Sequence, residues 1–226
     1  MTENLIKSEL KNRGAHFIHF VDISHLSTEQ NKGFPNSILF GIVLSPWYLA
    51  TVSKTPDYVK RMVKSKQIED DEFHVTELKT DAMADFLADY INQKGFSAYS
   101  QSEKNLEDTG SYDPVYQTTP LPHKTIALLA GLGWIGKNNL LVTEEYGSAI
   151  SMCTVLTDAP LKSLSKQIMK SKCGECNLCI KVCKSDSLSG KSWTKGIIRE
   201  EILNIRTCTT CLNCMVVCPW TQNYFK

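Results

Sequence analysis

Eight of the chain's nine cysteines fall in two copies of one spacing. Cys173, Cys176, Cys179 and Cys183 form C-x2-C-x2-C-x3-C, and Cys208, Cys211, Cys214 and Cys218 repeat it, followed by Pro219. This is the ligand spacing of [4Fe–4S] clusters, so the chain is expected to move electrons one at a time. A tight C-x2-C-x2-C loop supplies three thiolates and the fourth must arrive from elsewhere. In two-cluster ferredoxins the last cysteine of each run ligates the other cluster. The expected sets are therefore Cys173, Cys176, Cys179 and Cys218 for one cluster, and Cys208, Cys211, Cys214 and Cys183 for the other. Structural zinc prefers two knuckles a dozen or more residues apart, which four cysteines within one short run do not provide. Lys184 stands where a proline often follows the fourth cysteine, but proline is not a ligand.

The 226 residues allow one mid-sized domain with its own core and a small metal-held module. Asp158-Ala159-Pro160 marks the expected boundary, giving an α/β domain over 1–160 and the cysteine module over 161–226. Net charge is +1, so no global field points to nucleic acid. The balance is uneven: from Pro160 to Lys226 there are 11 basic and 4 acidic residues, against 14 and 20 before it. Two uses fit the basic tail: local neutralisation of anionic clusters, or a docking face for an acidic electron donor. The longest apolar stretch, Ile38 to Leu44, is too short to span a bilayer, and the N-terminus has no signal-peptide pattern. The expectation is a cytoplasmic protein with no membrane partner.

Helical spacing runs from Leu5 to Arg13 and stops at Gly14, while His16–Val21 and Ile38–Leu44 read as strands. Thr55-Pro56-Asp57 has the form of a helix start, with Thr as N-cap and Pro at the first helical position. The strongest helix is His74–Gln93, whose Val75, Leu78, Ala82, Met83, Phe86, Leu87, Tyr90 and Ile91 form a wide apolar stripe. Phe96–Ser100 is a short strand and Gln101–Gln117 a polar loop. Leu140–Val142 and Ala149–Leu156 read as strands on either side of the Tyr146-Gly147 turn, with Cys153 a buried structural thiol in the second.

Gly131-Leu-Gly-Trp-Ile-Gly136 matches G-x-G-x-x-G. A dinucleotide site requires a strand before that loop and a helix after it. The following KNNLLV is short and β-like, so a close-packed turn, or backbone approach to another large cofactor, is the better reading.

The segment HKTIALLAGLGWIGKNNLLVTEEYGS, followed by two cluster runs ending in Cys218-Pro219-Trp220, resembles the epoxyqueuosine reductase family, which is related to reductive dehalogenases. The resemblance extends over roughly residues 5–220. It implies a nitroreductase-like α/β domain that binds cobalamin, followed by a two-[4Fe–4S] ferredoxin-like module. It also implies that the glycine loop lies against the corrin, with Trp134, Gly136, Lys137 and Asn138 as contacts. In that family an aspartate fourteen positions before Gly131 is taken as the general acid; here the position is Gln117, which carries no carboxyl proton. His123, Tyr112 and Tyr116 are the nearby alternatives; as an acid His123 could titrate near neutral pH, while the plainer reading is a hydrogen-bonded structural histidine. A chain ending six residues after Trp220 is also expected to lack the family's C-terminal helical-repeat domain.

The expected function is therefore an iron–sulfur oxidoreductase that passes electrons to cobalamin or, failing that, FMN. A low-potential donor such as ferredoxin or flavodoxin would supply it, and tRNA is not the expected substrate. The rival is an electron-transfer protein without turnover of its own, serving a partner's corrinoid.

Overall fold

The computed structural model describes residues 3–226. In chain order the elements are α1 (Glu3–Asn12), β1 (Phe17–Asp22), α2 (Thr28–Asn31), β2 (Asn36–Val43), α3 (Pro46–Lys54), α4 (Tyr58–Lys64), α5 (Glu72–Gln93), β3 (Ala98–Ser100) and α6 (Glu103–Asp108). There follow α7 (His123–Leu129), β4 (Trp134–Ile135), β5 (Leu141–Val142), β6 (Ile150–Thr157), α8 (Leu178–Lys181), α9 (Asn213–Val216) and α10 (Pro219–Phe225). The result is a mixed α/β fold. Its main sheet has the order β1-β2-β6-β3, and β4 and β5 form a separate pair. No helix among the described residues is long and apolar enough to cross a membrane.

The chain divides into two compact units whose segments interleave. The first comprises 1–42, 76–131 and 151–167; the second comprises 43–75, 132–150 and 168–226. A single cut at residue 160 does not follow this division. The physical reason lies in α3: Tyr48, Leu49 and Val52 share one apolar cluster with Leu212, Met215 and Val216. The cysteine-bearing segment is poor in apolar side chains and takes its core from earlier parts of the chain.

The first unit is built on the two central strands. β2 is buried at every position, as its uninterrupted apolar run predicts, and β6 at all but one. β1 pairs antiparallel with β2 in the register Phe17↔Gly41 to Asp22↔Asn36. Ile6 and Leu10 of α1 and Met83, Ala84, Leu87, Ala88 and Ile91 of α5 pack with Ile38, Phe40, Cys153 and Val155 in one core. Cys153 is buried in β6, and burial raises its thiol pKa well above the ordinary value, so it behaves as an inert packing group. The buried face of α5 is rotated from the expected stripe: Val75 and Leu78 are 46% and 57% exposed, whereas Thr76 and Thr80 are buried. Thr80 finds a partner in the Ser151 hydroxyl at 3.1 Å, which makes its burial cheap.

Three local expectations are corrected. The missed helix α3 carries the start signal one segment earlier than expected: Ser45 caps it, accepting from Tyr48 N, and Pro46 opens it. Thr55 closes that helix, and α4 begins only at Tyr58 behind Asp57, whose φ is 53°. The strands flanking Tyr146-Gly147 do not pair, since β5 joins β4 and β6 joins the main sheet. The polar stretch after β3 contains α6, capped by the Ser102 hydroxyl.

Gly41 tolerates no side chain. A Cβ there would fall against the Phe17 ring and within 2.5 Å of the Ser151 carbonyl oxygen of the neighbouring strand. Gly41→Ala is expected to destabilise the protein by about 1–3 kcal/mol through overpacking, read as a lower denaturant midpoint at unchanged m-value.

Candidate cluster-binding site

Each cysteine run is a turn followed by a single helical turn. Gly174, at φ 48°, bends the chain between Cys173 and Cys176, and Cys176 N closes the loop onto the Cys173 carbonyl at 3.0 Å. α8 follows at once. In the second run Thr210 and Leu212, at φ 48° and 63°, perform the same bend before α9. Cys218 occupies the N-cap of α10, with Pro219 as its first residue.

The side chains then gather across the runs. Cys173, Cys176 and Cys179 line one recess together with Cys218 from the second run. Burial and the neighbouring Cys173, Cys218 and Cys176 push the Cys179 thiol up to about 11. Cys214 is pushed up to about 12 by burial and then by Cys211, Cys179, Cys208 and Cys183, which places Cys183 in the electrostatic neighbourhood of the second run. Cys183 is only part-buried; burial pushes its pKa up, but donors from Ser185, Ser187 and Leu188 together bring it below the ordinary value. None of the nine cysteines is in a disulfide. Among the described residues, no three His, Cys, Asp or Glu side chains converge closely enough to hold a single metal ion.

Adjacent thiols that raise one another's pKa resist joint ionisation. A polynuclear cation removes that penalty, because ligation deprotonates each thiol and balances the charge. The donor set thus fits iron–sulfur clusters and fits a lone ion poorly.

The glycine loop holds this site rather than opening toward solvent. Trp134 is 1% exposed and meets Trp220 edge-on at 5.0 Å between ring centroids; its indole N–H is buried without an acceptor. Gly136 has no room for a Cβ, which would meet Asn138 Oδ1 at 2.5 Å and Val142 Cγ2 at 2.8 Å. Lys137 Nζ donates to the carbonyls of Gly174 at 2.8 Å and Cys176 at 3.2 Å, and to Asn177 Oδ1 at 3.2 Å. Asn138 Nδ2 donates to the Cys214 carbonyl at 3.3 Å and to Ser148 Oγ at 3.5 Å. Two consecutive residues therefore tie down both cysteine loops. Of the residues that the resemblance sets against a corrin, Trp134 packs in the interior, and the polar ends of Lys137 and Asn138 bond to the loops they face. The loop is also no dinucleotide turn, because helix α7 precedes it and strand β4 follows, the reverse of the order required.

Sequence reasoning missed the seat of α10. Gly147, at φ 58°, lies so close to Thr221 that a Cβ would overlap the Thr221 backbone, and Ser148 N donates to Thr221 Oγ1 at 3.0 Å. The Gly147-Ser148 pair, noticed only as part of a motif, positions the helix that begins at Cys218. Basic residues nearby are partly neutralised: Lys172 pairs with Glu144, and Lys184 with Asp57 at 2.6 Å.

The alternative acids lie in the first unit, and none lines the cysteine recess. Tyr112 is half-buried; Tyr116 is 56% exposed and Gln117 is exposed at φ 48°. The Thr154 hydroxyl donates to Gln101 Oε1 at 2.5 Å, so His123 Nδ1, 2.8 Å from the same oxygen, must be the donor to it. Burial pushes the His123 pKa down to about 4, which fits a hydrogen-bonded structural histidine rather than an acid titrating near neutrality. The imidazole is neutral at pH 7.

Two outcomes check this geometry. Gly147→Ala is expected to displace Cys218 and lower the iron content of reconstituted protein, measured by iron and sulfide analysis. Because the folded pKa of His123 lies below 6.5, the stability its neutral ring supplies is intact above about pH 6.5 and is lost as pH falls toward 4. An NMR titration should show His123 neutral at pH 6; a midpoint near 6.5 would refute the assignment.

No family model matches the chain. The epoxyqueuosine reductase of Listeria monocytogenes is 32% identical over 136 residues, covering 54% of this chain and 33% of the relative. That of Aliivibrio fischeri is 29% identical over 135 residues, covering 53% and 36%. The chain thus spans about a third of the length of the curated relatives it matches. Among solved structures, the catabolic reductive dehalogenase NpRdhA superposes with a TM-score of 0.68 at 16% identity, over 96% of this chain and 31% of that one. The epoxyqueuosine reductase of Streptococcus thermophilus gives 0.56 at 17% identity, over 98% and 67%. A further epoxyqueuosine reductase, solved with an epoxyqueuosine-modified tRNA stem loop, gives 0.55 at 15% identity, over 98% and 65%. In sequence the chain is similar to curated epoxyqueuosine reductases over about half its length, and in fold it matches both those proteins and a reductive dehalogenase.

Proposed function

We propose that this chain is an iron–sulfur oxidoreductase, with Cys173, Cys176, Cys179 and Cys218 holding one [4Fe–4S] cluster and Cys208, Cys211, Cys214 and Cys183 the other. The observation that carries the reading is the shared recess of three cysteines from the first run and one from the second. Such clusters, when bound, supply one-electron transfer. The protein's part is to fix eight thiolates in two ferredoxin-like loops, through Lys137 and Asn138 on the loops and Gly147 and Ser148 on α10. The basic residues after Pro160 offer a face to an acidic one-electron donor of the ferredoxin or flavodoxin class.

The acceptor we propose is a corrinoid; FMN is the lesser alternative. Support for the corrinoid is the fold, since a neighbouring structure is titled for B12-dependent dehalogenation. The polar ends of Lys137 and Asn138 are bonded to the cysteine loops, leaving Gly136 and the loop backbone as the nearest surface to such a group. The similarity to epoxyqueuosine reductases, one of them solved with a tRNA stem loop, counts against the expectation that nucleic acid is no partner. What sets this chain apart is the missing acid: Gln117 has no carboxyl, and His123 is neutral. That observation favours the second reading, an electron carrier serving a partner's corrinoid.

Anaerobic reconstitution tests the proposal. About eight irons per chain are expected from two cubane clusters, and a clearly lower count would overturn the cluster assignment. Titration with hydroxocobalamin and with FMN then separates the readings. A spectral change on binding cobalamin supports the enzyme, and intact clusters with neither cofactor bound support the carrier. An epoxyqueuosine-bearing stem loop is expected to remain unreduced, checked by nucleoside mass spectrometry.

A further inference from the structure

Lys137 lies in the glycine loop that carries the family resemblance, yet the geometry gives it work that the resemblance did not assign. We propose that Lys137 is the positioning residue that sets the reduction potential of the cluster held by Cys173, Cys176, Cys179 and Cys218. The inference rests on the cluster reading above.

Three observations converge on it. An ammonium has three donors, and Lys137 has three acceptors, all within or beside the first cysteine loop: the Gly174 and Cys176 carbonyls and Asn177 Oδ1. The side chain is thereby fixed against the loop rather than free in solvent. Lys137 also lines the recess with the four cysteines, so its charge stands beside the thiolates. Among the described residues no carboxylate pairs with Lys137, so no counter-charge cancels its field. Lys172 lines the same recess but pairs with Glu144, which cancels most of its field.

Adding an electron makes an anionic cluster more negative, and a fixed neighbouring cation favours that state. Lys137 therefore raises the potential of the first cluster. The matching tie to the second run is made by Asn138, which is uncharged. One loop thus holds two similar cysteine runs with side chains of different charge, and the two clusters are set apart in potential by that difference.

The test is an EPR-monitored redox titration of the full reconstituted chain. Lys137→Gln is expected to make one midpoint more negative by about 59 mV, a tenfold change for one electron, while the other stays in place. Lys137→Arg should keep both near their original values, and Lys172→Gln should move the first cluster less than Lys137→Gln does. Unchanged midpoints in Lys137→Gln with both clusters bound would overturn the inference, as would an equal shift of both. If Lys137→Gln loses the first cluster's iron, Lys137→Arg decides: an unmoved midpoint supports a charge effect and a large shift refutes it. Unmutated protein without cluster iron would instead be a failure of the cluster reading itself.

Discussion

Packed thiols repel one another once ionised, and the cysteine runs are too poor in apolar side chains to hold them together unaided. Every arrangement in the second unit answers that constraint. Burial and neighbouring sulfurs push Cys179 and Cys214 toward the neutral thiol. The loops stay in place because hydrogen-bond donors from outside them seize their carbonyls: Lys137 on the first run and Asn138 on the second. The apolar support comes from α3, a helix that precedes the cysteines by well over a hundred residues. Protein interactions thus fix the loops, and in the proposed holo form metal ligation would supply the remaining cohesion.

Much of this was legible in the sequence, for a simple physical reason. Spacing of metal ligands is a local property, and a C-x2-C-x2-C run bends the same way wherever it occurs. The expected crossed grouping of Cys218 with the first run rested on the wiring of two-cluster ferredoxins. The long helix and the two buried central strands were equally plain, because their apolar patterns exceed the length at which chance periodicity matters. The inert character of Cys153 was also clear from its apolar strand.

What escaped depends on which distant surface each element meets. Nothing in α5 announces that Thr80 faces inward, since its partner Ser151 is remote in sequence. Likewise the strands after the glycine loop obey β-patterning, but the pattern does not name a partner. The family resemblance sets Trp134, Lys137 and Asn138 against a corrin, but it says nothing of their contacts within the protein, which are Trp220, the first cysteine loop and the second. The pKa of His123 depends on its burial against distant parts of the chain, which a residue type does not encode.

The interleaving of the two units bears on how the chain is made. Synthesis is vectorial, and neither unit is complete until segments far along the chain have emerged: 151–167 for the first, 168–226 for the second. Domains that fold independently can finish one after another during translation. Here the early segments must wait, with α3 exposing an apolar face whose partners, α9 and α10, are among the last elements made. On the proposed cluster assignment, iron insertion would wait for delivery of Cys218, and the unfinished chain is the form most in need of a chaperone's cover.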